Sequence, residues 1–296
     1  MAFSIEAALP PLIRRDVEDA EHHYPPIPET MPAVVAADPG WSRQWTNIRQ
    51  SIEQGKTAQR KAKDPLRRQL VAKYLAGMGH MELKLIVQGC TYAATEYDMP
   101  AAWRTCLIKQ AYDDMQHAAG FITRGSHMAN EDYWQGTDAP YLWPVDAYQP
   151  ILRRDLGGFF AAIGLHTEAY PAWTNLSGGG PIADIAVGAW SLQEIEDEAW
   201  HLTFLLPAIK EYLHTGTPDE QDRRKRQMVA DNEILLEAAV QPAYKNSKEF
   251  VVGRLGQDPA ILYGYEHLDE RTRYIFRAIA IEESYWPAYL KQGLGV

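Results

Sequence analysis

The chain has 296 residues, 46% hydrophobic and 23% charged, the balance of a globular protein with core enough for one large domain or two small ones. A net charge of −10, from 29 basic and 39 acidic residues, argues against nucleic acid or an anionic membrane as the main partner. Cys90 and Cys106 offer no disulfide framework, the N-terminus lacks a signal peptide's basic start, and no stretch approaches the roughly 20 apolar residues of a membrane span, so a cytoplasmic protein is expected.

Residues 1–44 carry Pro10, Pro11, Pro25, Pro26, Pro28 and Pro32 with little periodicity. They read as an extension laid over the body or a partner subunit, without chemistry of its own. From about Trp45 to Lys63 the pattern is polar and helical. Pro65 suits the first turn of a new helix, with Asp64 as N-cap, running through Leu70, Tyr74, Met78, Glu82 and Leu85 towards Tyr97. Asp98-Met99-Pro100 is a tight connection, and a second helix runs from Pro100 to about Thr123, closing an antiparallel hairpin. Glu82 lies sixteen residues before Asp98 and Asp114 fourteen after Pro100. At about 1.5 Å per residue, the two carboxylates fall at nearly one height on facing helices. Arg124-Gly125-Ser126-His127-Met128 reads as loop, as do the aromatic-rich residues up to 150.

A further helical pattern starts near Gln149, carries Leu156, Phe159, Phe160, Ile163 and Glu168, and meets Pro171. The run Ser177-Gly178-Gly179-Gly180-Pro181 lacks the preceding strand and following Lys-Ser/Thr of a phosphate-binding loop, so it reads as a helix connection. The next helix spans about Ile182 to Tyr212. Glu168 lies thirty residues before Glu198, close to the thirty-two between Glu82 and Asp114, but the heights agree less well. A kink or bulge near Pro171 is expected to absorb part of the difference. Thr217-Pro218 opens another helix, whose Asp222-Arg223-Arg224-Lys225-Arg226 cluster reads as a solvated face. A last helix spans about Asp269 to Gln292. With no strand pattern, residues 45–296 form an all-α body, two helical hairpins at about 65–213 followed by C-terminal helices at about 218–293.

One motif recurs in the hairpins. Asp113-Asp114-Met115-Gln116-His117 and Asp197-Glu198-Ala199-Trp200-His201 both read acid, acid, any, any, His. On a helix, residues three apart share a face, so each carboxylate and imidazole can reach one ion. Glu82 and Glu168 add one carboxylate per hairpin. Four carboxylates and two imidazoles on four helices are the donor set of a dinuclear site in a bundle core. Such mixed donors suit iron or manganese better than zinc, and four carboxylate charges balance two divalent ions. Asp113 and Asp197 are expected to accept hydrogen bonds from the outer nitrogens of the ligand histidines. Tyr74, Phe159, Phe160, Ile163, Cys106 and Trp200 are assigned to the core.

In these motifs the chain resembles the ferritin-like di-iron carboxylate proteins, and within them the oxygenases: bacterial multicomponent monooxygenases and the phenylacetyl-CoA and benzoyl-CoA epoxidases. The resemblance covers about residues 65–213 and rests on Glu82, Asp113-Asp114-x-x-His117, Glu168 and Asp197-Glu198-x-x-His201. It implies a ferritin-like four-helix bundle with additional N- and C-terminal segments and two iron ions, or a mixed manganese–iron pair. The implied activity is activation of O2 to hydroxylate or epoxidise an organic substrate; the company of Trp and Tyr alone favours an aromatic one. Electrons are then expected from a separate reductase, because no flavin, nicotinamide or iron–sulfur motif is visible, and a homodimer or hetero-oligomer is expected. Three residues depart from the pattern. Asp114 stands where the family has Glu, and Ala172 where the toluene and methane enzymes place Thr. Phe121 stands where radical-generating ribonucleotide reductase subunits carry Tyr, which counts against a tyrosyl radical. Asp114 and Ala172 leave open a non-catalytic structural or regulatory subunit of a multicomponent oxygenase. The same ligands would also serve a ferroxidase or iron-storage protein.

Overall fold

A computed structural model describes residues 26–58, 65–136, 144–171, 185–254 and 262–291. Among these residues every regular element is helical and no strand occurs. Asp64, Ala172 and the Ser177-to-Pro181 run lie outside the described residues. The first elements are α1 (Ala33–Ala36), α2 (Pro39–Ala58), α3 (Pro65–Glu82), a π-helical turn (Leu83–Val87) running on into α4 (Gln88–Glu96), and α5 (Ala101–Ala129). Then come α6 (Val145–Leu152), α7 (Leu156–Phe159) continuing as π-helix (Phe160–Ala169), and α8 (Ile185–His214). The C-terminal part holds α9 (Pro218–Leu235), α10 (Gln241–Ser247), α11 (Tyr263–Glu266), α12 (Leu268–Ala278) and α13 (Ala288–Lys291). No helix among the described residues is long and apolar enough to cross a membrane.

The hairpin of α3–α4 against α5 is closely packed, and glycine makes it possible. A Cβ on Gly79 would lie 2.5 Å from the Ala118 carbonyl oxygen, and one on Gly125 2.5 Å from that of Ala72. The stretch from Arg124, expected as loop, is therefore helix: Gly125 docks on α3, and Met128 one turn on is buried. The helix stops at Asn130, left-handed with φ 56°, where the Asn130 and Glu131 amides donate back to His127 and Ser126 at 3.3 and 3.1 Å.

Helix α2 begins at Pro39, inside the segment expected to lack helix. Asp38 caps it, accepting from the amides of Gly40 and Trp41 at 2.8 and 3.2 Å. Trp41, Trp45, Ile48 and Ile52 form its buried stripe, and the helix packs on α8. Each such side chain contributes roughly 1.5–3 kcal/mol by leaving water. Asp38 has a second role at the other end of the chain. Arg271 of α12, fully buried, donates from Nη1 to both Asp38 oxygens at 3.0 Å and from Nε to the Ala169 carbonyl at 2.8 Å.

Four further expectations are corrected. The helix expected from Gln149 through Glu168 divides after Leu152, and Asp155 restarts it by accepting from the Gly158 amide at 2.7 Å. The last helix ends at Ala278, where Ala280 is left-handed and the amide of buried Ile281 donates to Phe276 at 2.8 Å. In the basic cluster Arg226 pairs with Asp222 in solvent, but Lys225 is only 6% exposed and donates to Glu282 at 2.7 Å. Trp200 is 57% exposed and not core. Thr217 and Glu220 form a reciprocal capping box at the start of α9.

Candidate metal centre

Each acid of the expected site sits where the helix leaves regular α geometry or at mid-helix on an inward face. Glu82 closes α3 at the edge of the π turn Leu83–Val87, and Glu168 lies inside the π-helix Phe160–Ala169. The Tyr170 amide reaches back to Leu165 at 2.8 Å, so the widened turn spans Glu168 just ahead of Pro171. Asp114 and His117 project from α5, Glu198 and His201 from α8.

These side chains meet. One donor atom each from Asp114, Glu168, Glu198 and His201 lie within 4.8 Å of one another, all four buried, and such a group can hold a metal ion. His201 Nδ1 stands 3.2 Å from Glu168 and 3.5 Å from Glu198. His117 Nδ1 approaches from the other side, 3.7 Å from Asp114 and 3.6 Å from Glu198. Glu82 is 4% exposed, and the charges of Glu194, His117, Asp114 and Glu198 act on it. The outer nitrogens are held crosswise: His117 Nε2 donates to Asp197 at 3.1 Å, and His201 Nε2 to Asp113 at 3.4 Å. Asp113 also takes an ion pair from Lys109. The contacts thus join Asp113, Asp114, His117, Glu168, Asp197, Glu198 and His201, and Glu82 is linked to them by charge.

The electrostatics show why a cation fits. Burial and then Glu194 push Glu82 well above the usual carboxylate range, burial and then Glu198 do the same to Glu168, and burial raises Asp114 to about 7. Burial works against Glu198 too, but the imidazoles of His117 and His201 outweigh it and hold that carboxyl low. Burial disfavours charge on both imidazoles, yet the surrounding acids raise them well above an ordinary histidine. Without a metal, protons do the work of cations here. Five buried atoms still lack a hydrogen-bond partner among the described residues: Glu82 Oε2, Asp114 Oδ1 and Oδ2, His117 Nδ1 and Glu198 Oε2. An unsatisfied buried polar group costs about 1–3 kcal/mol, and one cation would satisfy several at once. Cys90 lies close enough to feel Asp114 and Glu168, but burial pushes its thiol up, so it stays neutral and the donors are oxygen and nitrogen.

Behind the site, the Glu168 helix is anchored by a buried polar network. His166 Nε2 donates to Asn232 Oδ1 at 3.1 Å, and the Tyr170 hydroxyl donates to the same oxygen at 2.9 Å. Burial drops His166 to about 3, so it is a neutral strut. In front, a narrow cleft with about 20 Å³ of free space, room for about one water molecule, is lined by His117, Gly120, Phe121, Arg124, Val187, Trp190 and Glu194. A Cβ on Gly120 would meet no atom within 4 Å. Glu194 belongs to no motif; its signal was the stripe 194, 198, 201 on one face of α8. Comparison of the chain with protein-family models, with curated proteins and with solved structures gave no match.

Proposed function

We propose that this chain is a non-haem di-iron oxygenase of ferritin-like four-helix architecture, acting on an apolar, preferentially aromatic, organic molecule. The observation that carries the reading is the convergence of Asp114, Glu168, Glu198 and His201 within 4.8 Å in a buried core, with His117 and Glu82 beside them. Two iron ions held by Glu82, Asp114, His117, Glu168, Glu198 and His201 would supply the redox chemistry that relays electrons to O2, and one oxygen atom of that O2 would enter the substrate. The second oxygen leaves as water, so the balance needs an electron pair and two protons from a separate reductase and solvent.

The chain's own residues do the rest. Asp197 and Asp113 keep the proton on each Nε2 and so present each Nδ1 lone pair inward. The buried walls exclude water from the reacting centre. Phe121, Val187 and Trp190 offer an apolar seat beside His117. Asp114 is a methylene shorter than glutamate, yet it reaches the shared cluster, and this supports an enzyme over a subunit whose site has emptied.

The test is O2 uptake by iron-loaded protein, with a chemical reductant and a panel of aromatic and alkene substrates. Uptake coupled to an oxygenated product is expected. Uptake no greater than that of a His201→Ala variant would overturn the reading.

A further inference from the structure

A second cleft, with about 460 Å³ of free space, opens between the end of α9, the π-helical turn that continues it (Leu236–Val240), α12 and α13. Small-molecule sites typically enclose about 300–1,000 Å³. One wall is apolar: Ile234, Leu236, Leu268 and the ring of Tyr289, with Ile234 52% and Tyr289 40% exposed. The polar wall carries a single sign of charge. Glu233, Glu237 and Asp269 line it, and no Lys, Arg or His does. Arg273 offsets one of the three charges, reaching Asp269 at 3.1 Å. Glu233 Oε1 is fixed, accepting from the Tyr289 hydroxyl at 2.8 Å and from Asn232 Nδ2 at 3.4 Å. Beneath it Thr272, fully buried, bonds the Leu268 carbonyl and the Tyr170 hydroxyl, each at 2.7 Å. The walls are therefore set before a ligand arrives, which lowers the cost of ordering them on binding.

We infer that this cleft is a binding site for an organic ammonium ion with an apolar body. The cationic head lies against Glu233 and Glu237, one turn apart, and against the Tyr289 ring, whose face attracts a cation. The carbon body covers Ile234, Leu236 and Leu268 and removes them from water. An anion would be repelled by the carboxylates. A bare metal ion fits poorly, because it needs oxygens that converge. Among the described residues only Asp114, Glu168, Glu198 and His201 stand at metal-holding distance, and Glu233, Glu237 and Asp269 do not. Carboxylates spread along an apolar wall suit a larger cation with carbon attached. The site stands apart from the metal centre and does not depend on how that centre is occupied.

Isothermal titration calorimetry of the full chain with benzyltrimethylammonium tests this, since a quaternary nitrogen cannot ligate a metal. The ammonium should bind about tenfold or more tightly than benzyl alcohol, which keeps the ring without the charge, and added salt should weaken it. Glu237 is exposed, so Glu237→Lys should fold normally. That variant should bind the ammonium about tenfold more weakly, while Glu237→Asp, which keeps the charge, should bind it nearly as the wild type does. A wild type that binds no ammonium, equal affinity for ammonium and alcohol, or unchanged affinity in Glu237→Lys would each overturn the assignment. Tighter binding of a trilysine peptide would overturn it too, in favour of a basic segment of a protein partner.

Discussion

His117 donates from Nε2 to Asp197 at 3.1 Å, and Asp197 is the residue just ahead of the opposite helix's Glu198-x-x-His201 pair. The second histidine mirrors it, His201 Nε2 reaching Asp113 at 3.4 Å. Each motif therefore orients the other's ligand. Asp197→Asn should weaken metal binding about 10- to 100-fold while leaving the helical content unchanged. Metal titration paired with circular dichroism checks it, and an unaltered affinity would show that the cross-brace does not position His117.

The pH dependence of the metal-free protein follows from the shifted groups. Glu82, Asp114 and Glu168 titrate higher folded than unfolded, so the folded chain binds more protons and loses stability as pH rises from the unfolded carboxylate value through the folded ones. His117 and His201 are also raised; their contribution is complete below about 6.5 and is lost as pH climbs through their folded values. Glu198, held low, contributes a constant amount above its unfolded value. The melting temperature of metal-free protein should fall between pH 5 and pH 8. With metal present the trend should reverse, because metal competes with those protons. Parallel melting curves with and without metal would contradict this.

Two glycines on one helix should behave in opposite ways. Gly120 borders the cleft with open space around it, so Gly120→Leu should change stability by no more than about 0.5 kcal/mol and keep its metal, while turnover of bulky substrates falls. Gly125 rests on the Ala72 backbone, so Gly125→Ala should cost about 1–3 kcal/mol by overpacking. Denaturant unfolding distinguishes them. Equal costs would mean that the cleft is not open at Gly120.

The Asp38–Arg271 pair joins the N-terminal segment to α12, and through the Ala169 carbonyl to the helix of Glu168. Asp38→Ala leaves the Arg271 charge buried without its partner and should cost about 3–5 kcal/mol. It should also weaken metal binding from a distance, since Ala169 adjoins Glu168. A loss below about 1 kcal/mol in chemical unfolding would show that the tie is dispensable.

Periodicity and proline placement made the first hairpin readable, the acid-x-x-His spacing pointed to Asp114, His117, Glu198 and His201, and the helix heights pointed to Glu82 and Glu168. What escaped depended on partners distant in sequence. Gly125 and Ser126 are weak helix formers and read as loop, but the same glycine lets α5 press onto Ala72. The break after Ala278 carries no glycine or proline; it is set by burial of Ile281, whose carbonyl also accepts from Trp286 Nε1 at 2.9 Å. Trp200 looked apolar enough for the core, yet with Glu198 and His201 facing inward its place on the helix points to solvent. Which aspartate would meet which histidine was beyond the sequence, because the crossing follows from how α5 and α8 pack.

The central claim is that the two acid-x-x-His pairs hold metal, and elemental analysis of iron-loaded, desalted protein tests it most directly. The wild type should retain about two ions per chain, and His117→Ala and His201→Ala should each retain fewer. Their loss should also steepen the dependence of stability on pH, as carboxylates left without a counter-charge take up protons. A wild type without metal, or variants that keep the wild-type metal content, would contradict the assignment and the oxygenase reading built on it.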